Sequence, residues 1–242
     1  MQHLPHAWDA RNGYESGNRP EAGGRLPTLA TLPSFPPAEP SMEFLALMAF
    51  AILGAYILKN REQQRRIALL GSALGKYQIE QLMENLTEGY LRWLDEKDPE
   101  RREQVWGVLQ GTEQALAKQF NSFVADFSKV EAPLAQVSKL PFAIPYAQPL
   151  LPGYRLFDAR KVFAVHARGI DASANNALDL PPKSKAYMMT AELYLMQHTC
   201  HWFCRSKTVA SARLLSRHQT PYQQVLDSVS PHTRAAYEAL VR

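Results

Sequence analysis

Fifteen consecutive residues, Phe44–Leu58 (FLALMAFAILGAYIL), carry no charge and, Gly54 aside, only apolar side chains. A helix built from them has no polar face, and such a helix is stable only inside protein or lipid. Lys59, Arg61, Arg65 and Arg66 follow at once, whereas Glu43 stands on the other side. A cleaved signal peptide carries its positive charge before the apolar run, the reverse of this order. An interfacial helix needs a strongly polar face, which this run lacks. A core helix of this kind would concentrate the interior of a 242-residue chain in one uninterrupted stretch. The reading is therefore a single spanning anchor over residues 42–59.

Positive charge stays on the cytoplasmic side of a membrane, so the expected orientation is N-terminus out and C-terminal domain in the cytoplasm, in an inner or plasma membrane. Fifteen helical residues span about 22 Å against a hydrocarbon core of about 30 Å. Snorkelling by Lys59 and local thinning of the bilayer are expected to absorb the difference.

Residues 1–41 contain seven prolines and four glycines and no sustained helical period. Such a composition buries too little apolar surface to offset chain entropy, so a disordered tail is expected. Met42 stands directly before the run, which favours it as the native start and residues 1–41 as an over-long start. Residues 59–242 carry 24 Lys and Arg against 18 Asp and Glu, and the excess lies wholly beyond Tyr154. A basic body beside an anionic leaflet points to lipid headgroups as a partner. Nucleic acid is disfavoured, because no binding motif accompanies the charge.

The expected fold class is all-α: one N-terminal transmembrane helix, then an α-helical bundle with a proline-rich strap and no sheet. Over residues 60–131, Ile67, Leu70, Leu74 and Tyr77, then Ile79, Leu82, Leu86, Tyr90 and Leu94, recur at helical spacing, with a shift of stripe near Tyr77–Ile79. One helix from the anchor to Leu94 is expected. Gly71 and Gly75 form a small-xxx-small pair on it, a pattern with force only in lipid. Asp98-Pro99-Glu100 reads as a helix start. The helix it opens carries Val105, Leu109, Leu116, Phe120, Phe123, Phe127 and Val130 on a face that must pack on the preceding helix or on a partner.

Over residues 132–157, Pro133, Pro141, Pro145, Pro149 and Pro152 exclude a regular helix, while Leu140, Phe142, Ile144, Tyr146 and Leu150 are too apolar for a solvated linker. An ordered extended strap is expected, with a pocket beneath it. Residues 158–242 complete the bundle. Asp158 is expected to cap a helix, Lys183 to Arg217 to form one long helix, Thr220–Gln223 to form a capping box, and Ser230-Pro231 to open the last helix.

The candidate chemistry is confined to two neighbouring segments. Cys200, His201 and Cys204 fall within about 100° of one helix face, with His198 on the preceding turn. These nitrogen and sulfur donors suit zinc or haem, with a further ligand such as His166 needed to close a tetrahedron. The competing reading is core packing with inert thiols, since free Cys is among the most buried residue types. A Cys200–Cys204 redox pair would be poorly aimed on a rigid helix. Arg205, Lys207, Arg213 and Arg217 form a basic segment suited to phosphate on lipid or nucleic acid, or else a solvated flank. The sequon Asn85-Leu86-Thr87 falls on the cytoplasmic side in this topology.

No enzyme signature is present in the sequence. The leading functional expectation is thus a membrane-tethered scaffold or adaptor with a protein partner. A metal- or haem-binding protein using His198, Cys200, His201 and Cys204 is one alternative. Lipid or nucleic-acid binding through Arg205–Arg217 is the other.

Overall fold

The apolar run and the basic segment after it form one uninterrupted helix, α1 (Met42–Leu74). The computed structural model describes residues 41–242, so the expectations for residues 1–40 lie outside the described residues. Thirty-three residues at 1.5 Å each make α1 about 50 Å long. It has two zones. Its apolar stretch is exposed along its length and is long and apolar enough to cross a membrane. Its C-terminal part packs on the body through Gln63 and Leu70.

Arg66 fixes that packing. Its guanidinium pairs with Glu62 (2.8 Å), donates to the carbonyls of Gln136 (2.9 Å) and Phe203 (3.3 Å), and lies over the Phe203 ring. Arg205 donates to Gln63 Oε1 at 2.7 Å, tying the same stretch of α1 to the far end of the chain.

The expected continuous helix to Leu94 is corrected: the chain turns after Leu74, and α2 (Ile79–Asp95) begins anew. The break coincides with the shift of stripe and is held by tertiary bonds. The Tyr77 hydroxyl donates to Asp126 (3.0 Å), and the Gln78 N–H donates to the Gln119 side chain (2.7 Å). Asp98 then caps α3 (Pro99–Phe127) as its chemistry predicts, accepting from the Glu100 N–H. α2 and α3 pack as a hairpin, and α3 lays its aromatic face on α6 (Ala159–Ala174). Phe123 and Phe127 meet Phe163 edge-on at 5.4 and 5.0 Å between ring centroids, and Phe127 meets Phe203 at 5.7 Å.

Two three-residue strands flank the proline-rich segment, β1 (Gln136–Ser138) and β2 (Leu156–Asp158). They pair antiparallel with Val137 opposite Phe157, which corrects the expectation of no sheet. The segment they bracket is not extended throughout. It contains α5 (Ala147–Leu150) and a 3-10 turn over Gly153–Arg155, while α4 (Ala132–Ala135) precedes β1. Packing against the body is direct: the Trp202 indole donates to Ser138 O (3.0 Å), and the Thr208 N–H and hydroxyl both donate to Pro141 O.

Asp158 caps α6, accepting from the Arg160 N–H. The long helix expected up to Arg217 is divided into α7 (Pro182–Cys204) and α8 (Lys207–His218). Ser206 ends one and caps the other by accepting from the Val209 N–H (3.3 Å). The capping box expected at Thr220 is absent: Pro221 precedes α9 (Tyr222–Ser228), and the Thr220 hydroxyl donates to His218 O instead. Ser230 caps α10 (Pro231–Val241), which buries Tyr237 and Val241 against the body. α7 is central, packing on α6, α8 and α9, with α10 closing over α6.

Candidate functional site

The four donor residues of α7 meet different neighbours. His198 is buried, with Nε2 3.0 Å from Ser211 Oγ and its ring stacked on Tyr222 at 4.4 Å. Burial pushes its pKa down to about 3. His201 turns Nδ1 toward the Arg213 guanidinium (3.2 Å), and burial with that charge holds it near 4. The Cys200 thiol lies 3.8 Å from the Met196 sulfur and is raised by burial; burial also pushes Cys204 up to about 11. Both thiols are protonated at neutral pH, the form that neither attacks nor ligates well.

His166, considered above as the further ligand that would close a tetrahedron, bonds Thr199 instead. Its Nε2 is 2.8 Å from Thr199 Oγ1, whose proton is directed to Leu195 O. That network assigns the neutral Nε2–H tautomer to His166. Among the described residues, no group of three or more His, Cys, Asp or Glu side chains is arranged to hold a metal ion. Purified protein is expected to carry well under one equivalent of zinc by elemental analysis. Cys200→Ala should cost only about 1–2 kcal/mol, as ordinary core truncation does, rather than the collapse that follows loss of a structural metal.

The basic segment is likewise distributed. Arg205 faces α1 through Gln63, and Lys207 lies over the Trp202 and Tyr222 rings. Arg213 serves His201, while Arg217 is exposed on α8.

A cleft of about 210 Å³ lies elsewhere, between the C-terminal half of α6 and the starts of α7 and α10. Val165, Gly169, Ala172 and Met188 form much of its apolar wall, and Ser173, Asn176 and Thr233 bring polar groups to it. Ser173 Oγ is buried without a hydrogen-bond partner among the described residues. Gly169 is required by its surroundings, since a Cβ there would collide with the Glu192 carboxyl and the Thr233 hydroxyl. Arg168, Lys185 and His232 complete the lining with cationic or titratable groups.

Behind Gly169, Glu192 is fully buried; Oε1 accepts from the Ser230 N–H (3.1 Å), and Oε2 has no partner among the described residues. Burial raises its pKa to about 7, opposed only in part by the Ser230 and Thr233 groups. A carboxyl raised in this way binds its proton more tightly in the folded state. Its contribution to stability is therefore present at low pH and is lost as pH rises from the ordinary value of 4.5 through about 7. His166 and His198, both pushed down to about 3, work in the opposite sense and add stability as pH rises toward 6.5.

Glu192→Gln isolates the carboxyl. Relative to the parent chain, the variant should gain about 2–3 kcal/mol between pH 5 and pH 8 in urea denaturation. An offset that stays constant with pH would contradict a raised carboxyl. The sequence held one signal for this residue, a lone acid within the apolar stretch MMTAELYLM.

A smaller cleft, of about 30 Å³, does lie under the strap, between Leu140–Ala147 and the Lys59–Arg66 turns of α1. Comparison with known protein families, curated proteins and solved structures finds no match for the chain.

Proposed function

We propose that the protein is a single-pass membrane scaffold or adaptor, with its helical body on the cytoplasmic face and its N-terminus on the other. One observation supports this reading above others: the exposed apolar stretch and the body-packed Gln63–Leu74 stretch belong to the same unbroken helix. A flexible linker would leave a tethered domain free to tumble. A continuous helix clamped by Arg66 and Arg205 instead fixes the height and orientation of the body over the bilayer. That property serves a protein that presents a surface to partners. The basic turns at Lys59, Arg61, Arg65 and Arg66 support the cytoplasmic orientation.

The aromatic face of α3, which argued for a partner in the sequence, packs on α6 and α7 within the body, so a partner must use another surface. Affinity capture of the full chain from mild-detergent extracts tests the reading. A reproducible partner at fixed stoichiometry across detergents is the expected result. The scaffold reading fails if the chain is recovered alone under every extraction that keeps it folded.

A further inference from the structure

The strap between β1 and β2 exposes Phe142 (61 %), Tyr146 (42 %), Leu150 (67 %) and Tyr154 (72 %). Four large apolar or aromatic side chains are thus exposed within thirteen residues, a concentration along the chain that calls for an apolar or interfacial surface to cover them. Its position along α1 identifies what it meets. Leu140, Phe142, Ile144 and Pro145 line a cleft with Lys59, Glu62 and Gln63, the first turn beyond the apolar run. From Lys59 to Gln63 is about 6 Å along a helix, within the headgroup layer that adds roughly 5–8 Å to each side of the hydrocarbon core. The run is also about 8 Å short of that core, which draws its flanking turns, and the strap packed on them, toward the lipid.

The chemistry of the strap fits that depth. Aromatic side chains concentrate where a membrane meets water, because their rings are apolar and their edges polar. From Lys139 to Phe157 the chain has no acidic residue, and its only charges are Lys139 and Arg155. Glu62, the one carboxylate lining the adjoining cleft, is paired with Arg66. Nothing in the strap therefore opposes an anionic surface, and the exposed cations Lys59, Arg61 and Arg155 lie on or beside it.

We infer that the Phe142–Tyr154 strap is a second membrane contact, inserting its aromatic and aliphatic side chains into the headgroup layer of the leaflet from which α1 emerges. The inference rests on the anchor reading above and adds to it. α1 holds the body in the bilayer, and the strap fixes its rotation about that axis by seating one side in the lipid. The energy per side chain is modest, but tethering by α1 makes the contact intramolecular in effect, so no free affinity is needed.

Photo-crosslinking in the full chain tests it. p-Benzoyl-phenylalanine replaces, one at a time, Phe142 and Tyr154 in the strap, Phe50 in the apolar run, and Val108 and Tyr187 on the body. Tyr187 is about 24 Å along α7 from the Phe203 carbonyl that Arg66 binds, and Val108 about 28 Å along α3 from Phe127. Each variant is reconstituted into vesicles of phosphatidylcholine with phosphatidylglycerol, irradiated, and weighed by mass spectrometry for a phospholipid adduct.

Adducts at Phe50, Phe142 and Tyr154, at least tenfold above those at Val108 and Tyr187, are expected. An adduct at Phe50 with none at Phe142 and Tyr154, or with protein crosslinks there instead, overturns the strap contact and leaves the anchor intact. Equal adducts at all five positions overturn it as well, because the body would then meet lipid without selection. No adduct at Phe50 removes the anchor and the strap contact together.

Discussion

Glu113→Ala is expected to destabilise the body by about 3–5 kcal/mol, because it leaves the Lys185 ammonium buried without its counter-charge. Both side chains are almost wholly inside the protein, where Lys185 pairs with one Glu113 oxygen and the Tyr90 hydroxyl donates to the other at 2.5 Å. Trp106 adds a ring face 5.6 Å from the ammonium. The network joins α2, α3 and α7, so its loss loosens three helices at one point. Burial, and then the neighbouring Glu113 charge, raise the Tyr90 phenol far above its ordinary value, so it stays a donor throughout the accessible pH range.

Removing both charges is a different matter. Glu113→Met together with Lys185→Met should restore most of the lost stability, since two apolar side chains of similar size leave no orphaned ion. Urea denaturation followed by far-ultraviolet circular dichroism reads both. A single variant costing under 1 kcal/mol, or a double variant as unstable as the single one, would contradict a buried, mutually compensated pair.

Phe127→Ala should cost a similar amount, about 3–5 kcal/mol, by a separate route. Phe127 is almost fully buried and touches the rings of Phe123, Phe163 and Phe203, so it is the point where α3, α6 and α7 share one aromatic cluster. Truncation to a methyl leaves a cavity that no single helix can shift to fill without parting from another. Phe127→Leu retains most of the volume and should cost about 1–1.5 kcal/mol. Thermal or urea midpoints that fall equally for the two variants would show that the cluster collapses freely and is not packed as described.

The parts of the fold legible in the sequence are those decided locally. Phe44–Leu58 reads as a helix segment apolar on every face from composition alone, and Asp98, Asp158 and Ser230 cap helices by short-range chemistry that needs no distant partner. The stripe Leu109, Leu116, Phe120, Phe123 and Phe127 is the buried face of α3. Glu113 lies on that stripe, four residues after Leu109 and three before Leu116, a spacing that places this acid on the inward face.

Where the structure departs from the sequence reading, the cause lies outside the hydrophobic pattern. The break after Leu74 is held by the distant Gln119 and Asp126, whereas that between α7 and α8 is a local cap by Ser206, a serine that looks like any other polar residue in a basic stretch. The three-residue strands β1 and β2 are too short to show alternation, and they exist because the two ends of the strap meet. Lys185 carries no mark of burial, since Lys183 two positions earlier is exposed. The His and Cys residues of α7 are adjacent in sequence, but their surroundings differ because α8 and α9 cover different sides of the helix.

The proposed anchor requires the Phe44–Leu58 stretch of α1 to lie in lipid while the rest of the chain folds independently of it. Alkaline carbonate extraction of membranes containing the full chain, beside Leu47→Arg with Leu53→Arg, tests this most directly. Each arginine near the centre of a span opposes insertion by about 2.5–3.5 kcal/mol. Both leucines stand exposed in the apolar stretch, so the body has no need of them. The parent chain should remain in the membrane pellet, and the double variant should move to the supernatant with its helical spectrum and urea midpoint unchanged. A parent chain released by carbonate, or a double variant that loses its fold, would contradict a lipid-embedded anchor on an independently folded body.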